Sequence, residues 1–365
     1  MFRHAFVGKT IWLSGITGFK GAWLTEWLLQ LGAEVHGFAL SPATDPALFT
    51  QLELAKRAKI ELNDIRDCKT VRNSILSASP DYVFHLAAQP LVRRSYEEPI
   101  ETYETNVLGT AHVLDALRQL KNSCTAIIVT TDKCYENREV DYAYREKDPL
   151  GGYDPYSSSK AAAELVASAY RRSFFSGCAI KIASARAGNA IGGGDWAADR
   201  LIPDCIRALQ KKEPIAVRNK TATRPWQHVL EPLGGYLWLA ASLANSEIDM
   251  QTKLASAFNF GPGADSDRNV QTVVEEVLKN WPGDWIDMHD SRAAHEAGLL
   301  QLNIDKAREL LNWKPIWNFS EAIAQTVKWY RTAAERPEDI RAITRSQLEF
   351  YMQQAKANGV NWAVQ

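Results

Sequence analysis

The sequence has no Cys-x-x-Cys pair. Its five cysteines, Cys68, Cys124, Cys134, Cys178 and Cys205, are odd in number and scattered, which argues against the usual zinc and dithiol spacings. They read as reduced, mostly buried thiols, and no metal site is expected. No apolar run approaches the roughly 18 residues of a membrane helix, and the start of the chain, "MFRHAFVGKTIWLSG", holds no stretch long enough for a signal peptide. A cytoplasmic protein without a membrane partner is expected. Charge of one sign is not in excess either: 42 basic residues stand against 43 acidic ones, a net charge of -1, so nothing points to nucleic acid. There is no internal repeat and no low-complexity segment. What remains is a composition 46% hydrophobic and 23% charged over 365 residues, enough for a sizeable core in two lobes and suited to a small-molecule partner.

The first half alternates between strand and helix. "KTIWLSG" is an apolar strand running into glycine, "KGAWLTEWLLQLG" carries apolar residues at helical spacing, and "EVHGFAL" returns as strand. The order repeats through "YVFHLAA", "ETYETNVLGTAHVLDALRQL", "AIIVTT", "PYSSSKAAAELVASAYRRSF" and "AIKIASAR". Such alternation predicts an α/β fold, a doubly wound parallel sheet covered on both faces, over residues 1–185. Residues 186–365 are richer in Trp, Pro and loop residues and are expected to build a smaller α/β substrate-binding lobe, with one return to the sheet near 226–260. The last 30 residues are expected to be helices packed on the outside.

"GITGFKG" places Gly15, Gly18 and Gly21 between the first strand and the first helix. A tight turn, close approach to a pyrophosphate and free N–H groups at the helix start all favour glycine there, so a dinucleotide site is expected. Asp64 and Ile65 in "NDIRD" follow a strand and are placed to reach an adenine, and "HLAAQ" (His85–Gln89) ends the next strand beside the pyrophosphate. No Asp or Glu stands at the end of the second strand, "HGFALSPATDP", where ribose hydroxyls are usually gripped. Ser41 or Thr44 would be weaker substitutes, which predicts a looser hold on the cofactor.

Two further stretches carry chemistry. Tyr156 and Lys160 in "YSSSK" lie four apart on one helix face, where an ammonium lowers the pKa of a nearby phenol. A phenol so tuned can take a proton from a substrate hydroxyl while hydride leaves the same carbon for a nicotinamide. "TTDKCYEN" sets Thr131, Asp132 and Lys133 at the end of the apolar run "AIIV", with Thr131 placed to hydrogen-bond that hydroxyl.

Taken together, "GITGFKG", "HLAAQPLV", "TNVLGT", "TTDKCYEN", "DPYSSSK", "ARAGNAIGGGDWAADRLIPD" and "RPWQHVLEPL" resemble the extended short-chain dehydrogenase/reductase family over nearly the whole chain. Within it the chain is similar to the nucleotide-sugar 4,6-dehydratases, and the last two motifs with Lys133 point to the branch acting on CDP-glucose. The resemblance implies a Rossmann fold, NAD as cofactor, a nucleotide-sugar substrate and a homodimer formed through the two helices that begin near residues 101 and 155. It implies cofactor contacts from Thr17, Phe19, Lys20, Leu86, Ala87, Ala88 and Asn106 besides the residues above, including Gly15, Gly18, Gly21, Tyr156 and Lys160.

The implied reaction is a closed redox cycle: C4 oxidation with Tyr156 as base, loss of water across C5 and C6, and return of hydride to C6. By position, Thr131 binds the 4-hydroxyl, Asp132 protonates the departing C6 hydroxyl, and Lys133 stands where relatives carry a glutamate that removes the C5 proton. An ammonium cannot accept a proton. Lys133 is therefore neutral for part of the cycle, or it stabilises an enolate while another group, such as Glu136, is the base. Substrate contacts are expected from Gln89, Asn189, Leu201 and His228, and from Arg200, Arg218 and Arg224, with Arg186 a further candidate, because guanidinium pairs with phosphate in bidentate fashion. Trp196 and Trp226 are candidates to pack on the sugar or base. Two rival readings stay open, a 4-epimerase and a catalytically silent NAD-binding module.

Overall fold

The computed structural model describes residues 1–263, 266–288 and 299–364. Its centre is a seven-stranded, all-parallel sheet: β1 (Thr10–Ser14), β2 (Glu34–Ala39), β3 (Lys59–Leu62), β4 (Tyr82–His85), β5 (Cys124–Val129), β6 (Ile180–Arg186) and β7 (Ala257–Asn259), in the order β7-β6-β5-β4-β1-β2-β3. The doubly wound expectation holds. All six residues of β5 are buried, as a strand covered on both faces requires. Side chains alternate faces along each strand. Ile11, Leu13, Phe84, Ile127 and Val129 join one core cluster, while Trp12, Val83, Ala126 and Ile128 join the other.

The main helices are α1 (Phe19–Gln30), α2 (Cys68–Ala78), α3 (Gly109–Leu117), α4 (Pro155–Ser173), α5 (Leu201–Lys211), α6 (Leu230–Asn245), α7 (Phe319–Glu335) and α8 (Ile340–Ala357). The single helix expected over "ETYETNVLGTAHVLDALRQL" is broken up: Pro99–Tyr103 leads into a π-helical stretch, Glu104–Leu108, before α3. None of the helices among the described residues is long and apolar enough to cross a membrane.

Beyond β6 the chain builds short ladders, pairing Ala190–Ile191 with Gln227–His228 and Thr223–Pro225 with Asp267–Asn269. It then returns through α6 to β7, beside β6 at the sheet edge. The C-terminal helices are more than an outer layer. Trp329, Tyr351 and Trp362 are fully buried, and the Trp362 ring stacks on Phe2 at 4.8 Å, so the last helices close the core against α1. The sheet order reverses at β1, which lies between β2 and β4. Crevices at the carboxyl ends of strands beside such a switch are where open α/β sheets bind ligands.

Candidate active site

At the end of β1 the chain turns through Gly15, whose φ is +76°. A Cβ there would stand 2.8 Å from the Ala87 nitrogen, and one on Gly21 would stand 2.1 Å from the Gly15 carbonyl oxygen. Only bare backbone lets the turn, the first turn of α1 and residues 86–88 come this close. Gly18 caps α1 without a side-chain hydrogen bond, leaving the helix-start N–H groups facing an anion site. Thr17 donates to the Leu40 carbonyl at 2.9 Å, tying the turn to the end of β2.

Behind the cradle lies a directional hydrogen-bond chain. Thr110 donates to the Asn106 carbonyl at 2.7 Å, so it accepts from His85 Nε2 at 3.1 Å. His85 Nδ1 then accepts from Ser14 Oγ at 2.7 Å, and Ser14 Oγ accepts the Leu86 and Ala87 N–H groups, each at 3.1 Å. Burial, with the charge of Lys160 behind it, holds His85 neutral, its pKa pulled down to about 3.

The second wall comes from β5 and α4. Asp154 starts α4 by accepting the Ser157 N–H at 2.9 Å, with Pro155 in the first turn. Tyr156 and Lys160 follow one turn apart, 8% and 6% exposed. Thr131 Oγ1 donates to Asp132 Oδ1 at 2.9 Å and accepts the Lys133 N–H at 3.4 Å, fixing the turn that carries all three residues. Asp132 is 1% exposed, and its Oδ2 is buried without a protein partner.

The electrostatics differ from expectation. Burial pushes the Tyr156 phenol up to about 12; a hydrogen bond with Thr131 and the charge of Arg200 pull it down, while Asp132 pushes it up. The strongest cationic influence on the phenol is therefore Arg200, reaching across from the segment before α5. Lys160 instead donates to the Val129 carbonyl at 3.4 Å, and burial with the nearby Lys20 lowers its own pKa to about 8. Lys20 is likewise lowered to about 8 by burial and Arg200, against the opposing pull of Asp132 and Asp195. Lys20, Asp132, Tyr156, Lys160, Asp195 and Arg200 thus form one charge-coupled group around the cradle.

A glycine cradle at a switch point, facing a Thr-Asp-Lys strand end and a Tyr-x-x-x-Lys helix, is matched by a sequence model described as GDP-mannose 4,6 dehydratase over residues 13–326. The chain belongs to the GDP-mannose 4,6 dehydratase family. It is 45% identical to the CDP-glucose 4,6-dehydratase of Salmonella typhimurium over 96% of this chain and 98% of that one. It is 27% identical to a probable dTDP-glucose 4,6-dehydratase of Sinorhizobium fredii, over 88% and 92% of the two chains. Among solved structures, the dTDP-glucose 4,6-dehydratase DesIV from Streptomyces venezuelae with NAD and TYD bound superposes with a TM-score of 0.75 at 23% identity, covering 92% of this chain and 99% of that one. At that identity the likeness speaks for the fold.

Other residues singled out in this dehydratase-family chain fall in varied places. Asn189, with φ +40°, has a buried side-chain nitrogen without a protein partner. Arg200 pairs with Asp195 at 2.8 Å just ahead of Leu201, the first residue of α5. Arg224 is 8% exposed on the Thr223–Pro225 strand, and Arg218 bonds Asp199 at 2.8 Å. Several candidates are occupied elsewhere. Arg186, the last residue of β6, is buried and 2.8 Å from Glu164, which takes up its charge and argues against a phosphate contact. Gln89 spends its amide on Leu91 and Thr102, and Asn106 spends its own on the Gln89 backbone and Ser159. These two amides brace the loop after β4 against α4.

His228 is wholly buried between the rings of Trp23 and Trp317. The Trp196 and Trp226 ring nitrogens donate to Gln51 and to the Arg268 carbonyl. Asp64 is held by Arg66 at 2.6 Å, and Ile65 packs against Gly109. Sequence reasoning missed Glu164, which accepts from Thr130 at 2.5 Å and Ser184 at 2.8 Å. Its place one turn after Lys160 on the same helix face was the available signal.

Proposed function

We propose that this protein is an NAD-dependent dehydratase that converts CDP-glucose to CDP-4-dehydro-6-deoxyglucose. The observation that carries the reading is the meeting of Thr131, Asp132 and Lys133 with Tyr156 and Lys160 beside the glycine cradle. The 45% identity to a CDP-glucose 4,6-dehydratase along nearly both full lengths supports the nucleotide. The cradle fits a dinucleotide, because side chains at Gly15 or Gly21 would collide with backbone. Gly15, Thr17, Gly18, Phe19, Lys20 and Gly21 would hold the pyrophosphate side, with Leu86, Ala87, Ala88, Tyr156 and Lys160 around the rest. When bound, NAD+ supplies the hydride acceptor for C4 and, once reduced, the hydride donor to C6, so that no net oxidation occurs.

The chain's own residues do the proton work. Tyr156 takes the 4-hydroxyl proton; its high pKa makes the phenolate scarce at neutral pH, and the nearby Arg200 guanidinium favours it. The resulting C4 ketone acidifies the C5 proton. That proton leaves to a base, Asp132 protonates the C6 hydroxyl as it departs as water, and Lys133 stabilises the enolate charge between the two events. Hydride then adds to C6 and a proton to C5. Asn189, Arg200, Leu201, Arg218 and Arg224 line the substrate side of a two-lobed cleft, the arginines facing the diphosphate.

A homodimer is part of the proposal. Ile100, Tyr103, Leu108 and Leu165 leave apolar side chains exposed on the helical segment 99–108 and on α4, with exposures of 69%, 38%, 52% and 60%, a surface suited to covering by a second copy. Incubation with CDP-, dTDP-, UDP- and GDP-hexoses tests the reading. CDP-glucose should yield a 4-keto-6-deoxy product fastest, and an epimerised hexose without water loss would favour the 4-epimerase reading instead.

A further inference from the structure

We infer that Gly188, fastened by Gln227, is a positioning residue for the acid Asp132: a bare Cα forms the floor on which the acid's carboxyl group rests. The inference builds on the proposed dehydratase role of Asp132. A Cβ at Gly188 would stand 1.8 Å from Asp132 Oδ2, 2.1 Å from its Cγ and 2.4 Å from Oδ1, inside any real contact and against the carboxyl group itself. The backbone of Gly188 does not lie in the left-handed region, so glycine serves here for space and not for conformation.

The floor cannot easily recede. Gln227, 2% exposed, donates from Nε2 to the Gly188 carbonyl at 3.1 Å and to the Phe260 carbonyl at 3.0 Å. Its own N–H reaches the Asn189 carbonyl at 3.4 Å, and it pairs with Ala190 in the short parallel ladder. This gives the Gln in "RPWQHV" a purpose: it ties the loop after β6 to the β7 end beneath the acid. The acid is equally confined. Thr131 Oγ1 holds Oδ1 at 2.9 Å, while Oδ2 is buried against Gly188 without a protein partner. Any side chain at 188 must therefore displace the carboxyl group.

The experiment is a double-mutant cycle on the whole enzyme with NAD+ and CDP-glucose, using Gly188→Ala and Asp132→Asn. Gly188→Ala should cost water loss roughly 10²- to 10⁴-fold in kcat, the usual worth of a placed acid, with KM little changed and C5 solvent exchange retained. In the Asp132→Asn background the same change should cost less than about threefold, because there is no acid left to misplace. Gly188→Ala within about threefold of wild type, or an equal loss in both backgrounds, would overturn the inference while leaving the acid role intact. Asp132→Asn dehydrating at near wild-type rate would overturn both at once. If Gly188→Ala does not fold, Asp132→Glu presses on the same contact from the other side. It keeps the carboxyl group, and should still lose water elimination if the floor is close-fitting; normal elimination would refute the fit.

Discussion

In the proposed cycle Tyr156 and Lys133 act at different steps, so their variants should fail differently. Tyr156→Phe removes the only group assigned to take the 4-hydroxyl proton, so addition of substrate should produce no absorbance of reduced nicotinamide. Lys133→Ala should still oxidise C4, letting that absorbance or a 4-keto hexose accumulate, while solvent deuterium entry at C5 and water loss fall roughly 10²- to 10⁴-fold. Normal dehydration by Lys133→Ala would make the lysine structural and turn attention to Glu136. The placement of Thr131 at a strand end and of Tyr156 and Lys160 one turn apart on α4 was legible in the sequence, because helical spacing and strand ends declare themselves locally. Arg186 was misread for the opposite reason. An arginine ending an apolar strand looks like a ligand-facing residue until its buried partner Glu164, on another element, is seen at 2.8 Å. Gly188 was hidden in a glycine-rich run, and its collision is with a residue that only folding brings near.

At the level of elements, the parallel sheet and the glycine turn were readable from alternation and punctuation, and the π-helical break before α3 was not, because hydrophobic period does not reveal one extra residue in a turn. The C-terminal helices were also underrated: their aromatic residues face α1 and α6. Glu231 on α6 is the clasp. It accepts the N–H groups of Ile316 and Trp317 at 3.0 and 2.7 Å and the hydroxyl of Tyr351 on α8 at 2.8 Å. Burial raises its pKa from 4.5 to about 7 against these hydrogen bonds. The folded chain therefore binds more protons than the unfolded one between those values, and this stabilising contribution is lost as pH rises through that window. Glu231→Gln should gain stability relative to wild type between pH 5 and pH 8, by ~3 kcal/mol at most. Denaturant titrations of both proteins at the two pH values measure this, and a constant difference would show that Glu231 does not titrate there.

For the whole molecule, charges from separate elements converge on α4: Arg200, just ahead of α5, acts on Tyr156, and Lys20 of α1 acts on Lys160. Assembly belongs to this scale as well. Leu108→Glu with Leu165→Glu should convert the proposed dimer to monomer in sedimentation equilibrium at micromolar concentration; an unchanged dimer would place the interface elsewhere, and a monomeric wild type would refute the dimer. In the proposed cycle one hydride leaves C4 and returns to C6 of the same sugar, while Asp132 and Lys133 act in expelling water between the two transfers. CDP-glucose carrying deuterium at C4 tests this most directly. The product should be a 4-keto-6-deoxy sugar with the deuterium in its C6 methyl group. Deuterium found back at C4 of an intact hexose would contradict this cycle.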